Sequence, residues 1–197
     1  MEEIWFRPLI WTDYRLAVFF AVGLPIVLLI WATWKRAEAM QRLLIIYWRV
    51  ASLLMITVYL MIPSWPISLL TSWVARILIP ISLWFWADVN DEITDASRSS
   101  LKLVFTSWRW AVTIYCLIGS IAMIPFLPCI FSATQGETAF CKVWFEAPFL
   151  YKALFHGGST PGFLGFLGAS GLCVYIVYFV YFLLVRLGKQ GRSAMEQ

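Results

Sequence analysis

The chain has 197 residues, of which 61 % are hydrophobic and only 13 % charged. A soluble core cannot use so much apolar surface, so the composition excludes an ordinary water-soluble domain. The net charge of +4 comes without a basic run, which excludes a nucleic-acid footprint. Twelve Trp, eight Tyr and fifteen Phe suit a membrane protein, because half-buried aromatic rings favour the headgroup level.

In chain order, residues 1–15 begin acidic and carry no small-residue cleavage pattern, so no cleavable signal is expected. Trp5, Phe6, Ile10 and Trp11 suggest a segment lying at the interface, with Thr12 or Asp13 capping the first helix. The first span is read as Leu16 to Trp34 (16–34), kinked by Gly23 and Pro25. The second runs Leu43 to Ile62 (43–62), and Pro63 and Pro66 then break the chain into a tight hairpin.

The third span, Pro66 to Trp86 (66–86), poses the functional question. Arg76 lies ten residues in, at a depth of ~15 Å. An arginine there costs at least ~2.5 kcal/mol on insertion scales, so it must face protein or a water-filled cavity. No carboxylate lies within an expected span to pair with it. Pro80 cannot bond the Arg76 carbonyl, which places a charge and a broken ladder in one turn. Arg76 and Ser72 are therefore the candidate intramembrane polar site. It is read either as an anion, headgroup or substrate contact or as an arginine that locks the bundle through carbonyls, Ser72 or a neighbouring helix.

The most polar stretch, 87–100, gathers Asp88, Asn90, Asp91, Glu92 and Asp95. Calcium or magnesium could use such ligands, but an EF-hand needs Gly where Ile93 stands and Glu where Ser99 stands. No metal is expected. A solvated loop, or a surface on which Asp88, Asp91, Glu92 and Asp95 dock a partner, is the simpler reading. The fourth span is read from about Leu103 to Pro128 (103–128). The outer loop 129–162 is too aromatic for a linker and is expected to form a short amphipathic helix or docked cap. Its Cys129 and Cys141 would bond in an oxidising compartment, or stay free elsewhere. The fifth span, Phe163 to Val185 (163–185), ends in a basic tail.

Five spans in one domain give an all-α polytopic transmembrane bundle with termini on opposite sides. An outer N-terminus puts Lys35, Arg36, Arg42, Arg49, Arg98, Lys102, Arg109, Arg186, Lys189 and Arg192 inside, against Arg7, Arg15, Lys142 and Lys152 outside. The excess favours a cytoplasmic C-terminus.

Other constellations carry less. Arg49 and Arg109 share a Trp-Arg setting at cytoplasmic span ends, as anionic-lipid contacts or as simple interface anchors. Gly162, Gly165, Gly168 and Gly171 recur every three residues and thin one face of the fifth helix for packing. Gly168-Ala-Ser170-Gly171 resembles the G-x-S-G of rhomboid-type intramembrane proteases, but no histidine follows Ser170, so that chemistry is rejected. His156 is the only histidine; it reads as polar surface rather than a ligand for haem iron or chlorophyll magnesium. No catalytic residue is assigned and no enzyme is expected.

The runs Ile4-Trp-Phe-Arg-Pro-Leu-Ile-Trp-Thr-Asp-Tyr-Arg, Arg42-Leu-Leu-Ile-Ile-Tyr-Trp-Arg and Ala75-Arg-Ile-Leu-Ile-Pro-Ile-Ser-Leu-Trp-Phe-Trp resemble a cyanobacterial family of uncharacterised multi-spanning membrane proteins. The resemblance is one of overall text across nearly the whole chain. It implies a thylakoid or plasma membrane and transfers no activity.

The leading functional expectation is a non-catalytic accessory or assembly subunit of a larger membrane complex, plausibly photosynthetic. The other is a small-molecule transporter or lipid-handling protein using Arg76. Membrane lipid and a larger membrane protein complex are the expected partners. A bound lipid or a pigment, chlorophyll or carotenoid, is compatible with the first reading, but no residue identifies its ligands.

Overall fold

A computed structural model describes residues 5–131, 139–187 and 193–194. Among them every regular element is helical. Five helices are long and apolar enough to cross a bilayer: α1 (Arg7–Trp34), α2 (Glu38–Met61), α3 (Ile67–Trp84), α5 (Ser100–Phe126) and α7 (Pro161–Leu187). Two shorter helices, α4 (Ala87–Asp95) and α6 (Glu146–Phe155), lie between them in sequence. The length and apolarity of the five suit an integral membrane protein, since lipid leaves backbone groups nothing to bond except their own helix.

α3 is the central helix. It packs on α2 and α5, and 56 % of its most apolar stretch is buried. Its small hydroxyl residues Ser68, Thr71, Ser72 and Ser82 all face inward. The Thr57 hydroxyl on α2 lies 2.8 Å from that of Thr71, a polar tie between the two helices. The link Ile62–Pro66 turns through Ser64 at φ 60°, joining α2 and α3 as the prolines implied.

α1 starts at Arg7, well before Leu16, so Ile10 to Arg15 belong to the helix. Neither Thr12 nor Asp13 caps it. Thr12 donates back to the Pro8 carbonyl at 2.8 Å, and Asp13 faces the bundle. Ahead of Pro25 the helix widens into a π stretch, Val18–Gly23. Leu24 N–H bonds Phe19 O, which releases Phe20 O, and Pro25 has no N–H for Ala21 O. Trp108 Nε1 donates to Phe20 O at 2.9 Å and the Tyr47 hydroxyl to Ala21 O at 2.7 Å. A proline defect in α1 thus becomes two hydrogen bonds that tie it to α5 and α2.

Part of the segment between α5 and α7 forms the expected docked cap. Cys129 and Cys141 are joined by a disulfide. Phe126 and Phe140 stack with centroids 4.5 Å apart, and Trp144 meets Phe126 edge-on. Arg7 on α1 binds Glu146 on α6 at 2.8 Å. Residues 132–138, and the tail cations Lys189 and Arg192 counted above, lie outside the described residues.

α7 begins at Thr160, whose side chain accepts from Phe163 N at 3.3 Å, with Pro161 fixing the first turn. It packs mainly on α2. A Cβ on Gly165 would fall 2.7 Å from Pro63 Cγ, one on Gly168 3.1 Å from Leu60 N, and one on Gly171 3.3 Å from Ile56 Cγ1. Gly162 meets nothing within 4 Å and is not part of this face. Only 6 % of the helix's most apolar stretch is buried.

Candidate functional site

Arg76 is 5 % exposed and points from α3 toward α1 and α5. Its guanidinium meets the Asp13 carboxylate in a two-pronged pair: Nη1 donates to Oδ1 at 3.0 Å and Nη2 to Oδ2. Such a fork satisfies charge and geometry together. The Tyr115 hydroxyl on α5 donates to Asp13 Oδ1 at 2.9 Å, and its ring lies 5.3 Å from Arg76 Cζ. Gly119, one turn further along α5, makes the room. A Cβ there would stand 1.8 Å from Arg76 Nη1.

The expectation that Arg76 lacks a carboxylate is therefore corrected. Reading α1 from Leu16 left Asp13 outside the membrane, whereas the helix begins earlier and carries it inward. Ser72 does not bond Arg76, its hydroxyl pointing to Met123 Sδ at 3.6 Å, but it lines the same cavity. Tyr115 and Gly119 were missed as well. Their i, i+4 spacing puts both on one face of α5, but nothing in the sequence aims that face at Arg76.

The pair lies at the polar end of a cavity of about 400 Å³. Leu54, Met55 and Val58 of α2, Ala17 and Val18 of α1, and Trp144, Tyr151 and Phe155 of the cap form its walls. Two buried donors among the lining residues lack a partner: Arg76 Nε and Trp144 Nε1. Burial, with a hydrogen bond to Tyr59, pushes the Tyr151 phenol up to about 12, so it stays neutral. His156 shares a 2.9 Å hydrogen bond with the Tyr59 hydroxyl, which places it beside this wall.

Arg109 is also buried, at 4 % exposure, and is not a lipid contact. Its Nη2 donates to Leu83 O at 2.8 Å and to Asn90 Oδ1, and its Cζ lies 4.1 Å above the Trp84 ring. Arg49, its sequence twin, remains exposed. The acidic stretch is also changed from its expected form. Residues 87–95 fold as α4, with Val89 and Ile93 buried one turn apart. Asp88 accepts from Ser193 Oγ and Ala194 N at 3.0 and 2.7 Å, and Glu92 binds Arg42 at 3.0 Å. Lys102 Nζ donates to Thr94 O and Ala96 O at the helix end. Asp91, Glu92 and Asp95 stay exposed and Asp88 is half-buried.

Among the described residues no three of His, Cys, Asp and Glu gather as metal ligands do. No curated protein and no solved structure matches the chain. Residues 7–195 match a family described as a protein of unknown function, DUF3177, and the chain belongs to that family.

Proposed function

We propose that the protein is a non-catalytic, lipid-handling membrane protein that holds a lipophilic molecule in the cavity beside Arg76 and Asp13. One observation carries this. Two unpaired buried donors, Arg76 Nε and Trp144 Nε1, belong to the lining of one largely apolar cavity. Its volume falls in the range of small-ligand sites, roughly 300–1,000 Å³. An occupant with an apolar chain and an acceptor oxygen, such as an ester or carbonyl, matches that lining. Asp13 already neutralises Arg76, so a neutral polar group suits the site better than an anion.

The test is lipid extraction from the purified chain, followed by mass spectrometry. The expected result is a retained lipid in about stoichiometric amount, lost when Val58→Trp fills the cavity while the unfolding temperature holds. Equal lipid content in the two forms overturns the proposal.

A second reading has its own support. α7 is barely buried within the chain, and a span so placed suits an accessory or assembly subunit that packs beside a larger membrane complex. A photosynthetic complex in a thylakoid or plasma membrane is the form of this reading that fits the cyanobacterial resemblance. The outer N-terminus belongs here too, because the Cys129–Cys141 disulfide then lies on the oxidising side. Native gels of gently solubilised membranes test it: co-migration with a large coloured complex supports it, and migration as a small colourless species counts against it.

A further inference from the structure

We propose that the diverging half of the α2–α7 pair is a binding site for one anionic phospholipid, held by Arg49 and Arg186. The two helices touch through Gly165, Gly168 and Gly171 and then separate, leaving a cleft of about 660 Å³. Arg49, Ser52, Tyr178, Tyr181 and Arg186 line its polar part; Ile56, Gly171 and Val174 continue it as an apolar groove. The same-level pairs Gly165 with Pro63, Gly168 with Leu60 and Gly171 with Ile56 fix an antiparallel register. Continued along the helices, that register sets Arg49 level with Tyr178 and Arg186 about two turns, ~12 Å, nearer the helix end. One cation therefore stands at headgroup depth and the other below it.

Arg49 has no carboxylate partner among the described residues, and neither has Arg186. Its twin Arg109 is held by a carbonyl, an amide and a Trp face inside the protein. Arg49 has none of these; its exposed guanidinium faces a cleft that opens to lipid. A cation below the interface is costly unless it reaches an acceptor. A phosphodiester drawn into the cleft supplies one, with the Tyr178 and Tyr181 hydroxyls beside it. The groove past Ile56 and Val174 takes an acyl chain, which a free phosphate ion would not use. Arg49 also lines a smaller apolar pocket between α2, α3 and α7.

The full chain in detergent would be titrated with phosphatidylglycerol, with phosphatidylcholine and with inorganic phosphate, read by native mass spectrometry and by unfolding temperature. The expected result is selective binding of phosphatidylglycerol that phosphate does not displace. Arg49→Gln and Arg186→Gln should each weaken it about fivefold, the worth of one cation near a charged surface. Val174→Trp, at an exposed position, should block the groove without touching either charge. Equal binding of phosphatidylcholine, displacement by phosphate, or full binding by the Arg49→Gln/Arg186→Gln double variant each overturns the proposal. None of these variants touches the Arg76 cavity, so lipid lost here and lipid lost there are separable results.

Discussion

Arg76 and Arg109 are buried to nearly the same degree and are stabilised in opposite ways. Arg76 is neutralised by a carboxylate brought from α1, 63 positions away in sequence. Arg109 keeps its charge among neutral acceptors drawn from α3 and α4, with the Trp84 ring beneath it. Both leave Nε unpaired. The neighbours offered to each account for the difference. Arg76 sits midway along a span, where only an opposite charge offsets desolvation. Arg109 lies near α4 and the polar end of the bundle, where a carbonyl, an amide and a π face are enough. The first site binds distant parts of the chain into one unit; the second fastens a local corner.

The comparison breaks most sharply at Asp13. Asp13→Leu leaves a buried cation without a partner and is expected to cost about 3–5 kcal/mol in thermal unfolding in detergent. The double variant Asp13→Leu/Arg76→Met removes both charges and should recover most of that loss. A double variant as unstable as the single would show that ion pairing is not what joins α1 to α3.

Gly119→Ala pushes a methyl into the place of Arg76 Nη1, and α5 cannot retreat without unpacking from α3. The expected loss is up to about 3 kcal/mol, the scale of an overpacked core. The same change made in the Asp13→Leu/Arg76→Met background should add almost nothing, which limited proteolysis of the two forms can show.

Asn90→Leu removes one acceptor from Arg109 and leaves the Leu83 carbonyl and Trp84 in place. A cost of about 2 kcal/mol is expected for the stranded donor. Removing Arg109 as well should not restore stability as fully as in the Asp13 case, since no second charge is removed. Denaturant titration of both variants compares the corners directly.

Tyr115→Phe is the smallest change. It deletes one hydrogen bond to Asp13 and keeps the ring beside the guanidinium, for about 1 kcal/mol. A double-mutant cycle with Asp13→Asn should show coupling, because both alter one network.

The apolar runs and their proline and aromatic boundaries were enough to identify the five spans, because a bilayer demands helices of one length and composition. Glycines at i, i+3 spacing also announced a thin face on α7, although only Gly165, Gly168 and Gly171 use it. The candidate site was legible in half. Arg76 stood out because a charge in the middle of an apolar run has few explanations. Asp13 did not, because its neighbours Thr12, Tyr14 and Arg15 are as polar as a helix cap, and the start of α1 was misplaced past it. Arg49 and Arg109 looked alike because their flanking Trp residues are alike. The local text carries no information about which helix each one meets.

Thus the sequence by itself determined the class of molecule, the number of apolar helices and the one arginine that had to find a partner. Those are consequences of transfer free energy, which depends on each residue's own chemistry and on its spacing along one helix. Tertiary structure alone decided that Asp13 is the partner, that Gly119 makes room for Arg76, that Arg109 is buried and that Arg49 faces the α7 cleft. Each of these depends on how helices rotate about their axes when packed, and that rotation is set by contacts between residues far apart in the chain.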